Sequence, residues 1–365
     1  SDWSSDVCSS DLRPDLTGEG VVIGVLDSWV DITHRAFRRG PDGHTRIEAL
    51  LVQEPAGAGG ACAWSTEYEA ARLDDMLFDR APLDTLGHPP AVDHEHGTIS
   101  LSIAAGSAGE GCYSGVAPEA TLLFVADGTG ADEALGSSRS VVDALRYFCE
   151  RAGERACVVS ISMGDGLGPH DGTSLVERAI DAVARRPGRA VVICAGNTNQ
   201  LPQHAAGVVV RGQEGCLTLE VAAPCAGDVF EIWYEGPGLL DLEIAAAEGQ
   251  SARFRSGAVG KEQVIGDGRF IVTSLPRASG RKRVIRVALG PADGDQLRPA
   301  RYALSLSLSH KGRKRPRRTA WQAWLRDCTM PITFSPALRD RGTLSTPATC
   351  REGITVGGRS EEHTS

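Results

Sequence analysis

The sequence lacks any run of about 18 apolar residues, so no segment is expected to cross a membrane as a helix and no membrane partner is expected. It also lacks an excess of positive charge: the formal net charge is -9, which gives no reason to expect nucleic acid as a partner. No two cysteines have the CxxC spacing of a zinc site. The ten cysteines fall to nine once Cys8, in a segment set aside below, is discounted, and an odd number supports no disulfide framework. Several of them sit in apolar stretches, where a thiol behaves as a small hydrophobe. What remains, 365 residues with 41% apolar and 23% charged side chains, is ordinary for a globular protein and long enough for two domains.

Neither end reads as part of a fold. Residues 359–365 (RSEEHTS) can be encoded by AGATCGGAAGAGCACACGTCT, and the reverse complement of that DNA, read one frame over, encodes DVCSSDL, residues 6–12. One short element, inverted at the two ends, therefore explains residues 1–12 and 359–365. It resembles a sequencing-library adapter read as protein, and both segments are set aside. The natural portion is expected to be a fragment, residues 13–358. No signal peptide is visible, which excludes nothing if the natural N-terminus is missing.

The first half alternates buried strands with helices. Val21-Val-Ile-Gly-Val-Leu26 is an almost wholly apolar run of the kind buried on both faces of a parallel sheet. Leu122-Leu-Phe-Val125, Val158-Val-Ser-Ile161 and Val191-Val-Ile-Cys194 repeat it. Between them Val141, Leu145 and Phe148, with Val142 and Cys149 beside them, and then Leu175, Ala179 and Val183, with Val176 and Ile180 widening the stripe, recur at helical spacing. This rhythm predicts a three-layer α/β domain, whose working residues gather at the carboxyl ends of the strands. Near Gly207 the period drops to two. Leu217-Leu219-Val221, Phe230-Ile232-Tyr234, Leu240-Leu242-Ile244, Ile285-Val287-Leu289 and Tyr302-Leu304-Leu306-Leu308 alternate with polar neighbours and predict a β-sandwich. Ile354-Thr-Val356 reads as a strand returning to the first domain. The β-rich part is then an insertion, giving a core over 13–207, an inserted sandwich over 208–336 and a return over 337–358.

Four segments carry candidate chemistry. Asp27 ends the first strand, placed to orient a histidine; taken alone it reads equally well as a turn or capping aspartate. Asp31 lies beyond the strand tip and is the weaker candidate. His96 opens His96-Gly97-Thr98-Ile99, with Ile99 and Ile103 spaced as on a helix, and Gly97 permits close approach; His94 lacks that continuation. Ala195-Gly196-Asn197 turns tightly after a strand and offers an amide that can donate to a developing oxyanion. Ser162, Met163 and Gly164 end a strand in small residues able to pair main chain to main chain with an extended peptide. The glycines Gly18, Gly20 and Gly24 precede and interrupt their strand, which rejects a dinucleotide fingerprint.

In the order Asp27, His96, Ser162 to Gly164 and Asn197, with Gly115-Val-Ala-Pro118 and Thr343-Leu-Ser-Thr-Pro-Ala348 leading into Ile354-Thr-Val-Gly357, the chain resembles the subtilisin-like serine peptidases of family S8. The resemblance implies a subtilisin-like core and a serine endopeptidase that acts on peptide or protein substrates by acyl-enzyme formation. His96 is then the general base, Asp27 its orienting carboxylate and Asn197 the oxyanion donor. It also implies that the nucleophilic serine follows the strand at Ile354, beyond Gly358, so that this fragment is expected to be inactive. Gly172-Thr-Ser-Leu175 mimics the nucleophile segment but precedes Asn197. Ser174 with Glu177 reads instead as a capping box.

Trp29 stands where the family usually has glycine, and Arg35 where it has proline; a bulky residue at 29 is expected to shift Asp27 slightly. The long gap between Asp27 and His96 predicts a surface loop over Pro41 to Pro90 that influences which peptides enter. By resemblance to some bacterial members, the insertion is expected to be jelly-roll-like. Its basic run over 311–318 reads as a solvated hairpin tip, and Trp321 and Trp324 as packing anchors. No cofactor is required by this chemistry. Family members often bind calcium, yet no acidic loop names its ligands, and the oligomeric state is unreadable. Secretion is the family's habit. Two other readings stay open: a pseudoprotease acting as regulator or scaffold, and a binding protein whose β-insertion carries the function.

Overall fold

The computed structural model describes residues 16–40, 43–53, 65–78, 94–107, 114–127, 138–236, 238–279, 282–309, 317–326, 330–338 and 341–358. Both tails set aside above lie outside them. The chain divides into two compact units: described residues of the first fall within Ser1–Met163, Arg178–Cys194 and Glu352–Val356, and those of the second within Gly164–Glu177, Ala195–Arg351 and Gly357–Ser365.

In chain order the elements are β1 (Val21–Asp27), β2 (Arg38–Arg39), β3 (His44–Thr45), β4 (Ile47–Gln53), β5 (Ser65–Glu69), α1 (Ala70–Phe78), α2 (His94–Ala105), β6 (Thr121–Asp127), α3 (Ser138–Ala152), β7 (Ala156–Ile161), α4 (Leu175–Ala184) and β8 (Arg189–Cys194). Then follow β9 (His204–Val210), β10 (Gly215–Val221), β11 (Asp228–Glu235), β12 (Leu240–Ala246), β13 (Ser251–Phe254), β14 (Lys261–Ile265), β15 (Gly268–Ser279), β16 (Lys282–Pro291), β17 (Ala300–Leu308), β18 (Arg318–Leu325), β19 (Ile332–Ser335) and β20 (Ile354–Val356).

Among the described residues the first unit is built on a seven-stranded sheet in the order β20-β8-β7-β1-β6-β4-β5, parallel except for β5. Successive side chains of a strand point to opposite faces, and here both faces are covered. Ile23 and Val25 of β1 pack with Leu101 and Ala105 of α2, whereas Phe148 of α3 lies over the bare Cα of Gly24 between them. The result is the predicted three layers. The order of strands reverses at β1: the chain leaving it builds the β6-β4 side, and β7 and β8 build the other. Such a reversal opens a crevice at the carboxyl ends of the strands, the usual place for a ligand in an α/β sheet.

One expectation for this unit needs correcting. The described residues between Pro41 and Pro90 are not a surface loop: they include β4, β5 and α1. Ile47, Ala49 and Leu50 are fully buried, because Ala49-Leu-Leu-Val52 is an apolar run of the same kind as β1 and pairs in parallel with β6. On α2 the apolar pair Ile99 and Ile103 points outward, and Leu101 and Ala105 face the core. On α4 the buried stripe likewise runs through Val176, Ile180 and Val183, with Leu175 exposed.

The second unit contains two antiparallel sheets, of five strands in the order β13-β12-β17-β10-β19 and six in the order β14-β15-β16-β11-β18-β9, counted over the described residues. Their inward positions supply one apolar core, including Leu217, Leu219, Phe230, Ile232, Leu242, Ile244, Val287, Leu304 and Phe334. Strand pairs nest inside one another: β10 with β19, β11 with β18, β12 with β17, and β15 with β16. This is the wrapping of a jelly roll, as expected. The basic run is corrected in one respect. β17 and β18, which flank it, lie in different sheets, so the connection is a crossover rather than a hairpin; residues 311–316 themselves lie outside the described residues. Trp321 and Trp324, three apart on a strand, fall on opposite faces: Trp321 joins the sandwich core, and Trp324 packs with Trp233 and Val284.

Candidate active site

The carboxylate of Asp27 sits at the last position of β1, with its side chain 2% exposed. Burying a charge this deeply is costly unless hydrogen bonds compensate it. The Ser28 N–H donates to Oδ1 at 2.7 Å, and the Ser28 hydroxyl lies 3.3 Å from the same atom. The His96 ring supplies the third contact, Nδ1 to Oδ1 at 2.8 Å. A carboxylate has no proton to give, so Nδ1 carries the hydrogen. In the neutral ring that leaves the lone pair on Nε2, the state a general base requires. The imidazole side chain remains 53% exposed, so a buried acceptor orients a ring that reactants can reach.

Close packing of α2 against β1 makes the contact possible. A Cβ on Gly97 would lie 2.1 Å from the Trp29 carbonyl oxygen and 2.8 Å from Cζ of Phe124, so only glycine lets the helix approach this near. Thr98, next along, accepts from the Asp31 N–H through Oγ1 at 2.8 Å and ties the turn after β1 to the same helix. Asp31 itself caps that turn, accepting from the N–H and hydroxyl of Thr33 at 2.8 and 2.6 Å. Trp29, expected to disturb Asp27, is buried in the core beside Val25 and Phe124. Its bulk is absorbed there, and the Asp27–His96 contact is intact.

A buried cation at the other end of α2 escaped the sequence reading. The Arg46 guanidinium, 7% exposed, donates to the carbonyls of Ala36, Ala105 and Ala120 and to the Ser107 hydroxyl. Burial lowers its pKa from the ordinary arginine value, and it anchors the last carbonyl of the helix that carries His96. An arginine directly before an apolar strand was the available signal.

Ser162 follows β7, and its N–H reaches the Leu26 carbonyl at 3.5 Å, beside Asp27. As far as Ile161, β7 is paired on both edges, to β1 and to β8. The pairing of β7 with both neighbouring strands ends there, just before Ser162 and Met163. Asp27, His96 and Ser162 thus come together in the first unit.

Gly164 and Asn197 belong to the second unit. Asn197 is exposed, on a turn where Gly196 has φ +96°, a conformation that favours glycine. Ser345 pins the turn on one side, its N–H donating to the Ala195 carbonyl at 2.9 Å, and Thr198 on the other, its hydroxyl donating to the Thr343 carbonyl at 2.9 Å. Asp165 and Thr346 exchange backbone hydrogen bonds at 2.9 and 2.8 Å. Burial pushes the Asp165 carboxyl up to about 6, against the opposing bond from the Leu167 N–H. Ser174 is a helix cap: its hydroxyl accepts from the Glu177 N–H at 3.2 Å, and Glu177 Oε2 accepts from the Ser174 N–H at 2.9 Å, the reciprocal pair of a capping box. Among the described residues no group of three or more His, Cys, Asp or Glu side chains is arranged to hold a metal ion. Nor is any helix among them long and apolar enough to cross a membrane.

Similarity to known proteins follows the same lines. Over 193 residues, half of this chain, the sequence is 30% identical to a PII-type proteinase of Lacticaseibacillus paracasei and 31% identical to a PI-type proteinase of Lactococcus lactis subsp. cremoris. The matched stretch spans 9% of the length of each of these relatives. Among solved structures, the Clostridium perfringens CspB protease superposes with a TM-score of 0.72 over 95% of this chain and 71% of its own, at 23% identity, which supports a shared fold. The family model of the subtilases matches residues 18–226, more than half of the chain. This chain belongs to the subtilase family, the S8 peptidases, with an α/β core and an added β domain.

Proposed function

We propose that the parent protein is a serine endopeptidase and that this chain carries the proton-handling part of its active site. The observation that carries the reading is the 2.8 Å contact between the buried Asp27 carboxylate and the half-exposed His96 ring, which leaves Nε2 as the base. Nε2 of His96 takes the proton of a serine hydroxyl as it attacks a peptide carbonyl, then returns it to the leaving amine. Asp27 holds the ring in register and stabilises the imidazolium between the two steps. Asn197 donates to the oxyanion, a contact worth about 2.7–4 kcal/mol where such donors have been removed from acyl-transfer enzymes. Ser162, Met163 and Gly164 pair with the backbone of an extended peptide or protein substrate. No step calls for a cofactor, and none is routed through calcium.

The nucleophile belongs to sequence beyond Gly358. Support comes from the family resemblance, in which the nucleophile segment follows the strand matching Ile354–Val356, here paired in parallel with β8. Secretion of the parent accords with this reading. A serine-reactive phosphonate probe tests the assignment. The 365-residue chain should not be labelled at an active-site rate, and the natural chain continued past Gly358 should be labelled on one serine. Labelling of Ser174, or a residue other than serine at the nucleophile position, would overturn it.

A further inference from the structure

Residues 341–344 belong to no strand or helix, yet each of their four carbonyls is held by a different side chain. His204 Nδ1 lies 2.6 Å from the Arg341 oxygen, and Trp324 Nε1 donates to that of Gly342 at 2.9 Å. Thr198 Oγ1 donates to that of Thr343 at 2.9 Å, and His170 Nδ1 lies 2.8 Å from that of Leu344. Three of the four side chains form one stack. Trp324 has the His170 ring 4.0 Å from its centroid and the His204 ring 4.8 Å from it, both tilted by 11°. His170 holds φ at +47°, uncommon for a residue with a side chain, and such strain persists where the surroundings over-determine it.

The two histidines also reach outward, His170 Nε2 to the Gly166 carbonyl at 2.8 Å and His204 Nε2 to Gln322 Oε1 at 3.2 Å. Burial lowers the pKa of both rings and favours the neutral form, in which the single N–H of each serves either its 341–344 carbonyl or its outward partner. The indole N–H of Trp324 cannot be lost and is the permanent donor of the set. The next residue, Ser345, bonds the Ala195 carbonyl and fills the space over two glycines. A Cβ on Gly196 would lie 2.8 Å from its Oγ, and one on Gly164 would lie 2.4 Å from it.

We propose that Trp324, with His170, His204 and Thr198, is a positioning clamp. It fixes the register of residues 341–345 by their carbonyls and, through Ser345, sets the Gly196–Asn197 turn and Gly164. Asn197 and Gly164 matter to catalysis only on the function proposed above, and the clamp deepens that reading. It assigns a positioning role to a side chain of the β domain, on β18. Hydrogen bonding, rather than aromatic bulk, carries the effect.

Trypsin reports on the clamp directly, because Arg341 is exposed and its own carbonyl is the bond trypsin must attack. In the folded 365-residue chain, cleavage between Arg341 and Gly342 is followed by mass spectrometry. Trp324→Phe keeps a stacked ring and loses the donor, and Thr198→Val loses the hydroxyl. Each should accelerate this cut roughly 3–10-fold, the range expected for one lost hydrogen bond. Thr198→Ser, which restores the donor, should cut at the wild-type rate, and the Asn197 side-chain amide resonances should move in Trp324→Phe. If Trp324→Phe does not fold, the Thr198 pair decides. Folded variants cut within twofold of wild type at Arg341, or Thr198→Ser behaving as Thr198→Val, would overturn the clamp. Neither readout requires peptide hydrolysis by this chain, so failure here leaves the catalytic proposal standing, and a failed probe experiment leaves the clamp standing.

Discussion

Asp27 and His96 stand 69 residues apart in sequence and 2.8 Å apart in the fold. What closes that distance is a missing side chain, that of Gly97, together with the parallel pairing that puts Asp27 at the tip of a central strand. The pair can be probed without any hydrolysis. Nitrogen-15 NMR of the histidine rings should find the neutral His96 with its proton on Nδ1. Asp27→Asn, whose amide can present an N–H to the ring, should abolish that preference. In the natural chain continued through its nucleophile, the same change should lower kcat by about 10⁴ through the wrong tautomer. An unchanged tautomer in Asp27→Asn would mean that the contact does not orient the ring.

Gly97→Ala should damage both fold and pair. Its Cβ would fall 2.1 Å from a backbone oxygen, and a carbonyl in a packed turn cannot swing away as a long side chain can. Overpacking of this kind costs about 1–3 kcal/mol or more. Chemical denaturation should show at least the lower figure, and a loss under 0.5 kcal/mol would show that α2 shifts freely.

Ser174 and Glu177 separate a cap from a catalyst. Ser174→Ala should lower stability by about 1 kcal/mol, as loss of an N-cap does, and leave phosphonate labelling of the natural chain unchanged. Glu177, fully buried, accepts from the N–H groups of Gly172 and Ser174 and from the Thr349 hydroxyl. Glu177→Gln turns one acceptor into a donor that faces other donors, and should cost about 2–3 kcal/mol. Equal melting curves for wild type and Glu177→Gln would contradict this account.

Burial of Asp165 sets the sign of a pH dependence in the fold. Its carboxyl is raised by burial to about 6, above the value of the unfolded chain. The native state therefore holds more protons between pH 4 and 6, and the contribution of this group falls as pH rises through that window. Asp165→Asn keeps an oxygen for the Leu167 N–H and has no charge to bury. It should be more stable than wild type by about 1–3 kcal/mol at pH 7, with the difference closing towards pH 4. A gap that widens in acid would reverse the assignment.

The parallel strands at β1, β6, β7 and β8 were legible because they are short runs of Val, Ile and Leu, and burial on both faces leaves no room for polar interruption. β4 carries the same signature in Ala49-Leu-Leu-Val52. It was hidden by reading the distance between Asp27 and His96 as an inserted loop, when the extra length includes sheet. Helix faces were less legible. Ile99, Ile103 and Leu175 sit at helical spacing and point outward, because periodicity gives a stripe without saying which neighbour meets it. The candidate pair itself could be read, since its spacing, its glycine and its strand end are local. The His170–Trp324–His204 stack could not, for its members come from a loop and two strands far apart in sequence, and only tertiary structure brings them into contact.

The nested pairing of the β strands brings the first and last parts of the sandwich side by side. The Phe334 N–H donates to the Pro202 carbonyl at 2.9 Å, so the chain leaves the domain where it enters. Some 130 residues of sequence thus lie between two positions joined by one backbone hydrogen bond. Such a segment can be lengthened or trimmed at its far end without moving either joined position.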